Sequence, residues 1–182
     1  MPESSRSVAL STHVCRSPIS KADVLRTLRE TAPTCCSASG CDCAERRPLL
    51  DAFYAKCKDE PLVVDKWLGV EALSRLGGTV ARVKELTRHP ALTLKNPNKV
   101  YALLGSFGTN QVNFHAADGC GYELMVEQSV KLDAINPQVA ARMVCHFERY
   151  KRFEPMRSTL MRAALKRIAA TPGLFRGDRG SG

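Results

Sequence analysis

From Leu50 to Ile168 the apolar residues return at helical spacing, and short breaks rich in Pro and Gly interrupt them. No strand-like alternation competes with that period, so the chain must bury a series of helical stripes. The run 136–151 shows the pattern best. Asn136 suits an N-cap, because its side-chain oxygen can accept an orphan amide of the first turn. Pro137 suits the first helical position, where its missing N–H costs nothing. Val139, Ala140, Met143, Val144, Phe147 and Tyr150 then form one stripe, while Gln138, Arg142, Cys145 and Arg149 line up on another. The first stripe belongs to a core. The second is free to meet something else.

The same reading gives seven helices. They are expected over 50–57, 63–76, 80–88, from Asn96-Pro97 onward, over 122–135, from Asn136, and over 155–170. Gly77-Gly78 is expected to end the second, and a polar loop is expected over 108–118. In the seventh, Met156, Leu160, Ala164 and Ile168 fall in register. Connections of a few residues make neighbouring helices antiparallel. The expected fold is all-α, a superhelical array of antiparallel helix pairs of the HEAT or armadillo type, an α-solenoid. Residues 50–174 are expected to form this domain. Residues 1–49 read as a poorly ordered extension rich in Ser, Arg and Cys, with one short helix over 21–31, and 175–182 as a flexible tail.

No apolar run approaches a membrane span, and the first residues carry no secretory-type apolar block, so a cytoplasmic location without membrane contact is expected. The formal charge is +9. Aromatic residues do not alternate with the basic ones as stacking platforms for single strands would, so the charge reads as a solvated helical surface and a nucleic-acid partner is not expected.

Several ordered stretches resemble the late region of zinc aminopeptidases of the alanyl aminopeptidase (aminopeptidase N) family. They are Leu62-Val63-Val64-Asp65-Lys66-Trp67, Asn96-Pro97-Asn98-Lys99-Val100-Tyr101, the run from Val112 to Tyr122, Leu132-Asp133, Asn136-Pro137-Gln138-Val139-Ala140 with Arg142, and Tyr150-Lys151-Arg152-Phe153. The likeness runs from about Ala52 to about Leu174. It implies the C-terminal helical domain of such an enzyme, also superhelical. It further implies that Gln138 and Arg142 face the enclosed substrate cavity, where a guanidinium can meet a peptide carboxylate or carbonyl. Tyr101 stands where some bacterial relatives carry Arg.

Catalysis in the family rests on zinc held by His-Glu-x-x-His and a downstream Glu. The histidines here are His13, His89, His115 and His146, and none has a second His four residues on. No catalytic residue, metal ligand or cofactor is therefore expected in this chain, the zinc belonging to a domain of the full-length enzyme. The expected partners are that catalytic domain and, in the full-length enzyme, short peptides. The expected role is to cap the catalytic domain and shape the cavity, as a last domain or a truncated fragment inactive alone. Without flanking helices such a fragment is expected to be marginally stable or oligomeric. The alternative is a stand-alone helical-repeat module that uses a basic face for an acidic protein or RNA.

Trp67 reads as a core anchor, and His115 as a residue that fixes its loop by hydrogen-bonding local backbone, with Asp118 capping the helix that follows. Cys57, Cys120 and Cys145 read as reduced, semi-buried thiols, and the Cys35, Cys36, Cys41 and Cys43 cluster is too tight for the usual paired zinc spacing.

Overall fold

The computed structural model describes residues 46–171. Every regular element among them is helical and none is a strand. The expected helix over 21–31, the Cys35–Cys43 cluster, most of the N-terminal extension and the tail lie outside the described residues.

The first two helices, α1 (Arg46–Cys57) and α2 (Pro61–Ala72), are held together around Trp67, which is 1% exposed. The Trp67 indole N–H donates to the Leu50 carbonyl at 3.0 Å, and the Tyr54 ring stacks on the indole at 4.6 Å. Helix α3 (Thr79–Leu86) packs on α2 through Val83 and Leu86. Its Arg82 donates from Nε and Nη2 to the buried carboxylate of Glu71 at 3.2 and 2.8 Å. A carboxylate so deeply buried needs such a partner.

Helix α2 stops at Ala72, short of the end expected at Leu76. Its last carbonyls have other donors. The Asn110 amide donates to the carbonyls of Ala72 and Ser74 at 2.9 and 2.6 Å, and Asn113 donates to Ser74 at 2.9 Å. The Gly pair then serves the next helix, with Gly78 at φ 81° as the N-cap of α3. That left-handed backbone is one a glycine adopts without penalty.

Asn96 caps α4 (Pro97–Val100), its side chain accepting from the Asn98 amide. The helix continues as a π-helical segment, Tyr101–Gly105, and closes with α5 (Ser106–Gly108). Leu103, Leu104 and Phe107 on this run are fully buried. The stretch expected as a polar loop over 108–118 instead holds α6 (Gln111–Phe114), and Asn110, Asn113, Phe114 and His115 are all buried. The asparagines can go inside because their amides are hydrogen-bonded to α2.

Helix α7 (Cys120–Asp133) is the centre of the C-terminal half and packs against α3, α8 and α9. It buries Tyr122, Leu124, Met125, Val126, Gln128, Ser129 and Leu132. Helix α8 (Pro137–Val144) lies antiparallel to it across the short connection 134–136. Helix α9 (Pro155–Ala170) returns along α7 and buries Met161, Ala164 and Ile168, while Met156 is 60% exposed. Helices adjacent in sequence thus pack in pairs, and the pairs stack into an α-solenoid. Among the described residues no helix is long and apolar enough to cross a membrane.

Candidate functional site

The polar row of α8 is positioned from its N-terminus. Asn136 has extended backbone, and its Oδ1 accepts from the Val139 amide at 3.2 Å, with Pro137 in the first turn. Val139, Ala140 and Met143 bury one side of the helix, which leaves Gln138 and Arg142 exposed on the other.

The structure joins one more residue to this row. Arg142 Nη1 donates to the Tyr101 hydroxyl at 3.3 Å, and the guanidinium carbon lies 5.8 Å from the Tyr101 ring centre. Tyr101 is half-buried and opens the π-helical segment. Sequence reading had no signal for this contact, which spans 41 positions and depends on how that segment winds.

Cys145 and Arg149, expected on the same helical stripe, are exposed but lie beyond α8. The chain tightens into a 3-10 turn at Cys145–Phe147 and another at Tyr150–Arg152. Packing explains the change of winding. Phe147 enters an aromatic cluster, 5.6 Å from Phe114 and 5.8 Å from Tyr122, and His146 lies flat over Gly108. A β-carbon at residue 108 would come within 2.5 Å of the His146 ring, so only glycine permits that approach.

His115 fixes its loop through side chains, not through the local backbone expected of its ring. Its Nδ1 is 2.8 Å from the Tyr122 hydroxyl, its ring packs on Phe153 at 4.1 Å, and its carbonyl accepts from Arg157 Nε at 2.7 Å. Asp118 Oδ1 accepts from the Cys120 amide at 3.1 Å, but the N-cap of α7 is Gly119 with φ 73°, so Asp118 supports the helix start from one residue before the cap expected of it. Burial and the Asp118 carboxylate push the Cys120 thiol up to about 11, so it is a poor nucleophile. Burial holds the imidazoles of His115, His146 and His89 below the ordinary 6.5, helped by Arg157 at His115 and by Arg82 at His89. These rings are therefore neutral in the fold, and the unfolded chain takes up protons first. Stability is expected to be level above pH about 6.5, to fall as pH drops below it, and to level again once the folded histidines are charged. A Tm series from pH 8 to 5 checks this, and a flat profile contradicts it.

Two surface clefts lie elsewhere. One of about 500 Å³ separates α3 from α7 beside Lys84, Asp118, Glu123 and Glu127. The other, about 160 Å³, sits among Arg46, Glu71, Thr79 and Arg82. Neither is lined by Gln138 or Arg142. Among the described residues no group of three His, Cys, Asp or Glu could hold a metal ion, so the zinc implied by the family resemblance has no ligand set there and no chemical step is routed through it.

Residues 14–177 match the family described as "Domain of unknown function (DUF3458_C) ARM repeats". The chain belongs to that family. It is 38% identical over 130 residues to the aminopeptidase N of Caulobacter vibrioides and 37% identical over 130 residues to that of Escherichia coli. Each match covers 71% of this chain and 15% of the relative. A crystal structure of Legionella pneumophila aminopeptidase A in complex with aspartic acid superposes with a TM-score of 0.66 at 38% identity, covering 69% of this chain and 15% of that one. The chain thus corresponds to the C-terminal helical domain of aminopeptidase N and spans about 15% of the length of the curated relatives it matches. The armadillo-type repeat of the family agrees with the all-helical solenoid described above.

Proposed function

We propose that this chain caps the catalytic domain of an aminopeptidase N and that the α8 face carrying Gln138 and Arg142 walls the cavity through which short peptides reach the catalytic centre. Residues 50–174 form the capping domain in this reading, and its contribution is access and orientation. Bond cleavage belongs to the catalytic domain, which supplies zinc chemistry.

The observation that carries the proposal is the match of this chain to the C-terminal region of aminopeptidases, and the exposed polar row of α8 supports it. The buried stripe of α8 is consumed by the solenoid core, while Gln138 and Arg142 stay exposed. Among the described residues Arg142 pairs with no carboxylate, unlike Arg47, Arg82, Arg157 and Arg167. Its charge is not spent inside the fold. A guanidinium offers planar, charge-assisted hydrogen bonds to a peptide carboxylate or carbonyl, and a Gln amide both donates and accepts.

Arg142→Ala tests the proposal in a complex of this chain with an aminopeptidase N catalytic domain. The account expects the KM for tripeptides to rise about tenfold with kcat nearly unchanged, since one charge-assisted contact made equally in ground and transition states is lost. Kinetics equal to wild type would remove Arg142 from the cavity.

A further inference from the structure

We propose that Tyr101 is the positioning residue that makes Arg142 a receptor for a single carboxylate, and that the group received is the C-terminal carboxylate of a short peptide. This rests on the α8 face being a cavity wall.

A free arginine side chain on a surface samples many rotamers, and a ligand that fixes it must overcome that entropy. Arg142 is already restrained from two directions by one residue. The Tyr101 hydroxyl accepts from Nη1 at 3.3 Å, and the Tyr101 ring backs the guanidinium at 5.8 Å. Tyr101 is itself held, because it is half-buried and opens the π-helical segment. The Cβ and Cδ1 of Tyr101 lie 3.7 Å from where a Gly105 β-carbon would sit, and the Met143 Cε, from the buried stripe of α8, lies 3.9 Å from it. The π segment and α8 therefore meet at this pair. A π-helical turn inside an α-helix is uncommon and frequently sits at functional sites.

A phenol restrains the guanidinium without cancelling its charge. A carboxylate partner, as at Arg82 or Arg157, would have done both. Among the described residues Nε and Nη2 of Arg142 donate to nothing, which leaves a two-point edge that matches a carboxylate. The surroundings argue for one negative charge. Arg142 is the only charged residue on α8, and the row neighbour four residues before it is the Gln138 amide, so this helix supplies a single cation. A phosphate would call for a second cation, whereas a peptide terminus offers one carboxylate and an adjacent amide that Gln138 can meet.

The test uses the full chain with arginine side chains labelled with nitrogen-15. The Arg142 Nε–H signal, identified with Arg142→Lys, is followed as N-acetyl-alanyl-alanine or its C-terminal amide is added. The acid is expected to bind and shift the signal, and the amide to bind at least tenfold more weakly. Tyr101→Phe keeps the ring and loses the hydroxyl, so acid binding should weaken about threefold. Tyr101→Ala loses both contacts and should weaken it about tenfold, with the Arg142 signal taking on the character of a freely rotating guanidinium. Equal acid binding by wild type and Tyr101→Phe and Tyr101→Ala would overturn the inference, as would a wild type that binds acid and amide alike. Neither result would touch the capping role. That role fails separately, if the chain forms no complex with a catalytic domain.

Discussion

Replacing Gly121 by alanine is expected to lower the stability of the domain by about 3 kcal/mol and its Tm by about 10 °C, the upper range for one added methyl group. Gly121 lies in the first turn of α7 with its α-carbon against the end of α6. A β-carbon there would meet the Phe114 carbonyl oxygen at 2.5 Å, the Asn113 carbonyl oxygen at 2.7 Å and the Phe114 α-carbon at 2.9 Å. All three are backbone atoms, so no rotamer change relieves the clash. The α6 segment would have to move, and with it the Asn113 amide that satisfies the Ser74 carbonyl and the Phe114 ring that packs on Phe107, Tyr122 and Phe147. Thermal unfolding followed by circular dichroism checks the value. Gly105→Ala is the control, because a β-carbon there meets only ordinary contacts at 3.7 Å and beyond.

Trp67→Ala is expected to cost about 4 kcal/mol, the range for emptying a buried aromatic site. Trp67 is 1% exposed, stacks on Tyr54 and lies 5.7 Å from His89, so one truncation opens a cavity where α1, α2 and the end of α3 meet. Trp67→Phe separates the two contributions. It refills much of the volume but leaves the buried Leu50 carbonyl without its donor, and should cost about 2 kcal/mol. Urea unfolding measures both. A Trp67→Ala protein as stable as wild type would contradict the placement of this ring in the core.

How much of this was legible depends on whether the cause is local. The Asn-Pro pairs at 96–97 and 136–137 carry their own geometry, and both asparagines accept the amide that an N-cap should. The apolar stripe of α8 and the exposure of Gln138 and Arg142 follow from spacing alone. The buried α6 does not. Asn110 and Asn113 look like loop residues until Ala72 and Ser74, more than thirty positions away, supply the carbonyls they serve. In α9 two apolar rows share Ala164 and Ile168, and periodicity cannot choose between them. The fold takes Met161 inside and leaves Met156 out, because α7 lies on that side. The helix expected from Asn136 to Lys151 gives way after Val144, since seating His146 and Phe147 needs a tighter turn than an α-helix provides. For the site, the row was readable and its restraint by Tyr101 was not, as nothing local distinguishes Tyr101 from any half-exposed tyrosine.

The central claim is that this solenoid is the cap of an aminopeptidase, and mixing tests it most directly. The full chain and a catalytic domain of aminopeptidase N that ends before its own C-terminal helical region are combined and run by sedimentation velocity, at low and at high salt. The account predicts a one-to-one complex that persists as salt is raised, because a domain interface is largely apolar. Two species that sediment independently, with this chain instead binding RNA in a steeply salt-dependent way, would contradict it and favour a free-standing basic module.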